Sequence, residues 1–466
     1  MPLLPLTAAD VAGATRGRLV SGDAATPIGR ISIDSRALAA GEFFVAIRGD
    51  RHDGHAFAAE ALERGAAGVL ISDAASVPSS TSAVVVHVPD TTAGLQDIAR
   101  FVRRASGARV VAITGSAGKT TTKEICADLL SARYRVFRNA GNLNNHIGLP
   151  LSLLELRTAP DVAVVELGMN HAGEIRTLVG IAEPDVRVWT NVGDAHIGFF
   201  TSADAIADAK AEILESARPD DVLVANANDP RVMSRASRFT GRLVTFGINT
   251  DADVEARDVD LRGLEGTRAT VRTPAGEFML QSPLLGLGNL LNVLAAAAVA
   301  VTFEIPLDAI VERAASLRPA HHRGELLRLP GGVTLVDDSY NSSPAALKRS
   351  LETLASANGS ARKAAVLGEM LELGEHATRL HTECGRSAAA AGLDLLIAVG
   401  NDHARELAAG AVAAGMSPAS VIHVAQKEQA AESALQRVRP GDLVLVKGSR
   451  GIGLDLVVDR LKAEFA

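Results

Sequence analysis

The chain has 466 residues, a net charge of −7, 47% hydrophobic residues and only 3% aromatic residues. This length is too great for one hydrophobic core and predicts about three domains. The acidic balance and the scarcity of aromatic rings argue against nucleic-acid binding, and no apolar stretch is long enough to span a membrane. The two cysteines, Cys126 and Cys384, are predicted to be small buried side chains, as in a reducing cytoplasm.

The first segment, residues 1–87, is predicted to be a small α/β domain. Strand-like stretches in GRISIDSR and EFFVAIRGD come before a helix over residues 57–64, and the turn-rich ASVPSSTSA comes before the apolar VVVHV. We place the end of this domain near residues 88–92.

Residues 88–318 alternate between short apolar runs and helical stretches. The runs RVVAIT, DVAVVELG, VRVWTNVG, DVLVAN and RLVTFG are continuous and rich in valine, which predicts a parallel sheet buried on both faces. The stretch LLNVLAAAAVAVTF (residues 290–303) is predicted to be a buried helix. It is shorter than the roughly 20 residues that a membrane span needs.

Residues 319–466 repeat this pattern in GVTLVDD, KAAVLGE, LDLLIAVG, SVIHVA and DLVLVKGS, which predicts a second, Rossmann-like doubly wound unit. The stretch LRPAHHRGE (residues 317–325) is interpreted as the linker. Ligands of such sheets bind beyond the carboxyl ends of the strands, so the residues that follow each run are the candidate site residues.

The stretch VVAITGSAGKTTTKE (residues 110–124) is typical of a phosphate-binding loop between a strand and a helix. Its glycines let the backbone approach an anion, and the helix directs its N–H groups and dipole at that anion. Lys119 would neutralise phosphate charge and Thr120 would ligate Mg²⁺, although the first glycine comes two residues later than in the general motif. We predict nucleotide contacts from this loop: Gly115, Ser116, Ala117, Gly118, Lys119, Thr120 and Thr121.

Two further residues are candidates for metal ligation. Glu166 ends the run DVAVVELG, where nucleotide-binding sheets place a carboxylate towards Mg²⁺; a solvated glutamate is the alternative. His196 follows the next strand, in TNVGDAHIGFF, and is interpreted as a metal ligand, with a structural histidine as the alternative. Lys210, in IADAKAEIL, is predicted from the residues alone to be a solvated lysine.

A series of motifs along nearly the whole chain resembles the Mur ligase family. These motifs are DSRALAAGEFFVAIRGDRHDGHAF, ITGSAGKTTTKE, AGNLNNHIGLPLSLL, VELGMNHAGEI, TNVGDAHIGFF with KAEIL, DDSYNSSP, LGEMLELGEHA and VKGSRGIG. The resemblance implies an α/β protein of three domains. They are an N-terminal UDP-precursor domain (residues 1–87), a central P-loop-type parallel-sheet ATPase domain (88–318) and a C-terminal Rossmann-like domain (319–466) that receives a dipeptide.

The resemblance also implies the reaction. An ATP-dependent amide ligase of peptidoglycan precursor synthesis would join D-alanyl-D-alanine to UDP-N-acetylmuramoyl-tripeptide and release ADP and phosphate. The substrate carboxylate would attack the γ-phosphate of ATP, and the dipeptide amine would then displace phosphate from the acyl phosphate. We expect a cytoplasmic monomer with small-molecule substrates, no nucleic-acid partner and no membrane-embedded segment.

The roles implied around ATP concern two Mg²⁺ ions and the nucleotide. Thr120 and Glu166 would hold the first ion, and His196 with a Lys210 carbamylated by CO₂ would hold the second. The expected catalytic residues are Lys119, Glu166, His196 and Lys210. Asn289 would contact adenine, although Gly288 stands where the family has histidine, while Arg323 would lie near the phosphates and Asp338 would bind the ribose.

The implied substrate contacts come from all three domains. Asp34, Ser35 and Arg36 match the UDP-binding stretch, although a surface salt bridge would explain Arg36 equally well. Asn142, Asn144 and Asn145 would contact the UDP-sugar-peptide, or would cap the turn before Pro150. Asn341, Lys447 and Arg450 lie in motifs of the third domain, where the dipeptide is expected, with structural roles as the alternative.

Two alternative functions come from different classes. A sibling ligase that adds a single amino acid would carry an Asp-Asn-Pro-Arg signature, which this chain lacks. A non-catalytic nucleotide-gated binding protein would have no need of the second metal that Glu166, His196 and Lys210 together imply.

Overall fold

The computed structural model describes residues 3–49, 51–194, 197–357 and 362–466. The chain forms two compact units, the first made of residues 1–112, 134–169 and 173–187 and the second of residues 113–133, 170–172 and 188–466. In the part of the chain described, no helix combines the length and apolarity that crossing a membrane requires.

The regular elements of the first 189 residues are α1 Ala8–Thr15, β1 Arg18–Ser21, β2 Ile31–Ser32, β3 Phe43–Val45, α2 Ala58–Glu63, β4 Gly68–Ile71, β5 Val84–His87, α3 Thr91–Ser106, β6 Arg109–Thr114, α4 Lys119–Leu130, β7 Val136–Arg138, α5 Gly148–Leu154, β8 Val162–Glu166, α6 Glu174–Ala182 and β9 Val186–Trp189. Those that follow are α7 Ala203–Ala211, β10 Val222–Asn226, α8 Pro230–Ala236, β11 Arg242–Ile248, β12 Val254–Leu261, β13 Thr267–Thr273, β14 Gly276–Ser282, α9 Gly286–Thr302 and α10 Leu307–Ser316. The last are β15 Glu325–Arg328, β16 Thr334–Asp338, α11 Pro344–Ser356, β17 Arg362–Gly368, α12 Ala377–Ala390, β18 Leu395–Val399, α13 Asp402–Ala413, β19 Val421–Val424, α14 Lys427–Arg437, β20 Asp442–Lys447 and α15 Asp455–Glu464.

The first unit begins with a five-stranded sheet of order β1-β5-β4-β3-β2. Only β1 runs antiparallel to its neighbour. Strands β4 and β5 are short and apolar, and Phe44, Val69 and Val85 pack with α2 in one cluster. The small α/β fold predicted for this segment, including its helix near residue 60, is confirmed.

The same unit contains α3 and the parallel pair β7–β8. Helix α3 begins where the Asp90 carboxylate accepts the N–H groups of Thr92 and Ala93, and it ends at Gly107, whose φ is +65°. Strand β8 is buried along its whole length. A buried run of this kind delivers its last residue, Glu166, to the carboxyl end of the strand, where sites in such sheets form.

In the second unit, strands β10 and β11 are parallel, as the apolar runs predicted, and β12, which was not predicted, runs parallel to β11. Two further strands, β13 and β14, continue antiparallel from β12 and were not predicted. Strand β13 alternates between buried and exposed residues, because only one of its faces is covered. A search for continuous apolar runs misses such strands. The predicted buried helix is confirmed as α9, in which ten residues are buried.

The second unit also contains a six-stranded sheet of order β15-β16-β20-β17-β18-β19. Strands β16, β20, β17, β18 and β19 are parallel, and β15 is an antiparallel edge strand. Helices α14 and α15 cover one face through a cluster that includes Leu335, Val366 and Val446. The predicted Rossmann-like pattern is therefore confirmed, and it sets the ends of β16 and β20 side by side.

Candidate active site

The loop of residues 115–118 joins β6 to α4 in the second unit. Gly118 caps α4 and brings no side-chain hydrogen bond to the helix N-terminus. The Lys119 Nζ donates to the Gly115 carbonyl oxygen at 2.9 Å, so its ammonium group lies over the loop. A helix N-terminus with a glycine as its cap residue, beside a lysine, is typical of a phosphate-binding site.

Both glycines of this loop are required by contacts within the protein. At Gly115, with φ +150°, a Cβ atom would lie 1.9 Å from the Thr190 Oγ1. At Gly118, with φ +83°, a Cβ atom would lie 2.2 Å from the Asn292 Oδ1. These glycines are predicted to let the backbone approach an anion. The structure adds that they let the loop pack against two side chains of its own unit.

Asn191, just after β9, holds the first half of the loop. Its carbonyl oxygen accepts the Ser116 N–H at 3.1 Å, and its Oδ1 accepts the Ala117 N–H at 2.9 Å. Those two N–H groups are therefore already bonded within the protein. Sequence reasoning missed Asn191, although its position directly after a buried strand is the signal that could have found it.

Asn289 and Asn292 connect the loop to the start of α9. The Asn292 Oδ1 accepts the Thr122 hydroxyl at 3.3 Å, and its Nδ2 donates to the Asn289 Oδ1 at 3.2 Å. The Asn289 Nδ2 donates to the Leu285 carbonyl oxygen at 3.0 Å. The predicted adenine contact thus belongs to a chain of hydrogen bonds that reaches α4, and Asn292 was not predicted.

Asp338 and Lys447 form an ion pair at the ends of β16 and β20. Their register places them opposite each other, with the Lys447 Nζ 2.6 Å from the Asp338 Oδ2. The same Nζ donates to the Asn341 carbonyl oxygen at 3.1 Å, and the Ser350 hydroxyl donates to Asp338 at 2.9 Å. The predicted ribose residue and two predicted dipeptide residues therefore lie together.

Tyr340 brings two predicted arginines together. The Arg323 guanidinium carbon lies 4.2 Å from the centre of the tyrosine ring and that of Arg450 lies 5.1 Å from it. The Arg450 Nη1 also donates to the Tyr340 hydroxyl at 2.7 Å. Neither guanidinium has a carboxylate partner among the residues that the structure describes. Two such cations on one ring favour binding of an anion.

In the first unit, the loop that precedes α5 holds the end of β8. The Asn139 Oδ1 accepts the Glu166 N–H at 3.1 Å, and the Asn144 Nδ2 donates to the Glu166 Oε1 at 2.7 Å. Glu166 is only 3% exposed. Its carboxylate is thereby held in one orientation, as a metal ligand would be.

The other two asparagines of this loop differ from Asn144. Asn145 accepts the N–H groups of Ile147 and Gly148 at 3.2 and 2.7 Å, so it caps the turn into α5. Asn142 is exposed. Pro150 is the third residue of α5, a position that does not need its missing N–H. The capping interpretation therefore describes Asn145, while its substrate contact stays a prediction.

The predicted UDP residues form a tight turn in the first unit. The Asp34 carboxylate accepts the Arg36 Nε and Nη2 at 2.9 and 2.7 Å, and Ser35 between them is buried. The Arg36 side chain and backbone N–H lower the pKa of Asp34 from 3.8 to about 2. The salt bridge offered as the alternative for Arg36 is present.

The other three predicted metal ligands are Lys210, Thr120 and His196. Lys210, in the last turn of α7, is 1% exposed, so the expectation of a solvated lysine is wrong. Thr120 is partly buried in the first turn of α4. His196 lies outside the described residues. Within those residues, no three His, Cys, Asp or Glu side chains are grouped as a metal site.

Family models match consecutive parts of the chain. They describe the Mur ligase family catalytic domain over residues 27–112, the Mur ligase middle domain over 113–300 and the Mur ligase glutamate ligase domain over 322–450. The chain belongs to the Mur ligase family. It is therefore an α/β ligase of three domains, in agreement with the α/β elements described above.

Relatives and solved structures are similar to this Mur ligase over almost its whole length. UDP-N-acetylmuramoyl-tripeptide–D-alanyl-D-alanine ligases of Bacillus subtilis and Escherichia coli are 35% and 34% identical to it, covering 94% and 93% of this chain and 93% of each relative. MurF of Acinetobacter baumannii superposes with a TM-score of 0.90 at 30% identity, covering 99% of this chain and 100% of that one. MurF of Thermotoga maritima, solved with ADP, gives 0.84 at 31% identity, covering 94% and 97%.

Proposed function

We propose that this Mur ligase joins D-alanyl-D-alanine to UDP-N-acetylmuramoyl-tripeptide with conversion of ATP to ADP and phosphate. The names of the relatives that match its whole length support this substrate pair. The observation that carries the use of ATP is the loop after β6, where the glycine-capped N-terminus of α4 and the Lys119 ammonium group lie together. The relative from Thermotoga maritima was solved with ADP.

The chemistry explains the need for positive charge. A carboxylate is a poor electrophile because its leaving group would be an oxide, and phosphorylation by ATP replaces that group with phosphate. Carboxylate and triphosphate are both anions, so Lys119 and the N-terminus of α4 serve to bring them together. The dipeptide amine then attacks the acyl carbon, loses its proton and displaces phosphate.

Two Mg²⁺ ions are part of the proposal. Thr120 and Glu166 would hold one, and His196 with carbamylated Lys210 would hold the other. Glu166 fits this role because Asn144 and Asn139 orient a buried carboxylate, and a buried amine such as Lys210 becomes an oxygen ligand when it takes up CO₂ and releases a proton. When bound, Mg²⁺ supplies charge that offsets the negative charge of the reacting phosphate.

The remaining contacts of the proposal are assigned by substrate. Phosphate contacts come from residues 115–121, Asn289 binds adenine and Asp338 binds the ribose, with Arg323 near the phosphates. The dipeptide carboxylate suits Arg450, whose guanidinium carries no carboxylate partner among the described residues, and Lys447 and Asn341 adjoin it. Asp34, Ser35 and Arg36 would bind the UDP group, and Asn142, Asn144 and Asn145 the sugar-peptide.

We further propose that the enzyme acts as a monomer in the cytoplasm, where its nucleotide-linked substrates are made. Domain boundaries at residues 87/88 and 318/319 belong to the same proposal.

A substrate assay tests this function. ADP release is expected only when UDP-N-acetylmuramoyl-tripeptide and D-alanyl-D-alanine are both present. Lys119→Met should abolish release, because the phosphates lose their cation. Lys462→Met, at an exposed position in the last turn of α15, should leave release unchanged and is the matched control.

Two outcomes of this assay would contradict the proposed function. ADP release with a single diamino acid in place of the dipeptide would assign the chain to the sibling class of ligases. Nucleotide binding without ADP release under any combination of substrates would favour the non-catalytic binding protein.

A further inference from the structure

Helix α11 packs against the first turn of α9 at two glycines. A Cβ atom on Gly286, whose φ is +78°, would lie 2.5 Å from the Thr353 Oγ1. A Cβ atom on Gly288 would lie 3.3 Å from the Arg349 Cδ and 3.5 Å from its Nε. Arg349 and Thr353 are four residues apart and share one face of α11. The Arg349 side chain therefore lies along a turn of α9 that carries no side chain at Gly288.

The Arg349 guanidinium has no hydrogen bond or ion pair among the residues described. The side chain is partly buried, and burial lowers its pKa, an effect that the nearby Glu352 only partly offsets. Taking a guanidinium out of water without a partner is unfavourable. The position is therefore suited to a ligand that covers the planar cation.

The neighbours of Arg349 define which ligand that is. On α9, the residue after Gly288 is Asn289, which reaches the phosphate loop through Asn292 and Thr122. On α11, the residue after Arg349 is Ser350, whose hydroxyl donates to Asp338 at 2.9 Å. Arg349 thus packs against the residue that precedes the group proposed for adenine, and it precedes the residue that contacts the group proposed for the ribose.

We propose that Arg349 binds the base of ATP, with its guanidinium lying against the face of the adenine ring. This inference rests on the proposed use of ATP and adds a specific residue to it. Arginine is the cation best suited to the role, because its group is planar, weakly hydrated and stacks on aromatic faces. Gly288 is the counterpart of Arg349, since a Cβ atom there would lie 3.3 Å from the Arg349 Cδ and a larger side chain would crowd the arginine.

Binding of two probes, ADP and tripolyphosphate, tests the inference in the full-length chain. Tripolyphosphate reports on the phosphate loop alone, whereas ADP reports on the loop and the base together. Arg349→Leu is expected to weaken ADP binding about tenfold and to leave tripolyphosphate binding unchanged. Arg349→Lys keeps the charge but loses the plane, so it should recover less than half of that loss on a logarithmic scale.

Two controls accompany these variants. Arg405→Leu removes an exposed arginine that is paired with Asp402 on α13, and it should bind both probes as the wild type does. Gly288→Val crowds Arg349 without removing it and should also weaken ADP selectively. Because it leaves α11 unchanged, it decides the question if Arg349→Leu unfolds.

Unchanged ADP binding in the Arg349 and Gly288 variants would overturn the inference while leaving the proposed function intact. Equal weakening of ADP and tripolyphosphate by Arg349→Leu, with full recovery in Arg349→Lys, would also overturn it and would make Arg349 a phosphate ligand. A wild-type chain that binds neither probe would overturn the proposed function itself.

Discussion

Gly115 and Gly118 each meet two structural requirements, a positive φ and the absence of a Cβ atom. Each has a positive φ, and each lies where a Cβ atom would overlap a side chain that supports the loop, Thr190 in one case and Asn292 in the other. A substitution would therefore strain the backbone and displace a hydrogen-bonded partner at once.

Gly118→Ala is expected to lower the free energy of unfolding by at least about 3 kcal/mol and to abolish ADP binding, because the loop can no longer pack on Asn292. Urea-induced unfolding and ADP titration measure the two effects. Gly107→Ala is the matched control, since Gly107 has a φ of +65° but nothing within 4 Å of its Cβ position. Gly107→Ala should lower the free energy of unfolding by about 1 kcal/mol through backbone strain alone. Equal losses in the two variants would contradict the steric part of the argument.

The residue types of the site were predictable where a local pattern fixes their role. The strand–loop–helix pattern predicts Lys119 and Thr120, and a strand end predicts Glu166, whereas the ribose role of Asp338 is implied by the family resemblance. The contact of Asp338 with Lys447 could not be predicted, because it depends on β20 lying beside β16, and the two residues are far apart in sequence. Arg349 carries no local signal, since an arginine on a helix is ordinarily solvated and only the packing of α11 on α9 makes it distinctive.

At the scale of elements, the segment between β7 and α5 holds the end of β8 in place through hydrogen bonds. Its asparagines bond to the Glu166 backbone, to the Glu166 carboxylate and to the first turn of α5. The sequence suggested two roles for these residues, substrate contact and capping, and could not separate them because both use the same amide group. The structure assigns a cap to Asn145.

Substitutions at Asn145 separate the cap from a substrate contact. Asn145→Ala should cost about 1 kcal/mol of stability, because two N–H groups at the start of α5 lose their acceptor. Asn145→Asp keeps the accepting oxygen and should restore the stability. If the Asn145 amide N–H₂ also donates to the substrate, Asn145→Asp will have a higher KM for the UDP-tripeptide than the wild type, because aspartate has no N–H₂ group.

The stability control is Asn142→Ala, at an exposed position of the same loop, whose thermal midpoint should equal that of the wild type. A KM in Asn145→Asp equal to the wild-type KM would limit Asn145 to its capping role.

At the scale of the whole molecule, one buried histidine couples folding to pH. The His381 Nε2 accepts the Met370 N–H at 2.9 Å and its Nδ1 donates to the Ala377 carbonyl oxygen at 2.7 Å, so the ring is held neutral. Burial lowers the pKa of His381 below 6.5; His403 acts in the same direction, while the Ala377 carbonyl and Glu369 oppose it. Protonation would require breaking the bond from Met370.

Stability is therefore expected to fall as the pH drops below 6.5 towards the folded-state pKa of His381, because the unfolded chain binds the proton more readily in that range. Above 6.5 both states are neutral and this contribution is fully present. Urea midpoints at about pH 7.5 and about pH 5.5 measure the loss in the wild type. A glutamine at this position can both donate and accept hydrogen bonds but does not titrate. The urea midpoint of His381→Gln should therefore fall less between the two pH values than that of the wild type. An equal loss in both proteins would contradict the assignment.

The order of strands in the last sheet has a consequence for synthesis of the chain. Strand β20 is the last strand of that sheet in sequence but lies at its centre, between β16 and β17. On the ribosome, β15–β16 and β17–β19 must wait as two half-sheets, each with an open inner edge, until residues 442–447 emerge. A chain stopped before residue 442 lacks the Lys447 partner of Asp338 and exposes two unpaired parallel edges. Such a fragment is prone to aggregation and to degradation by quality-control proteases.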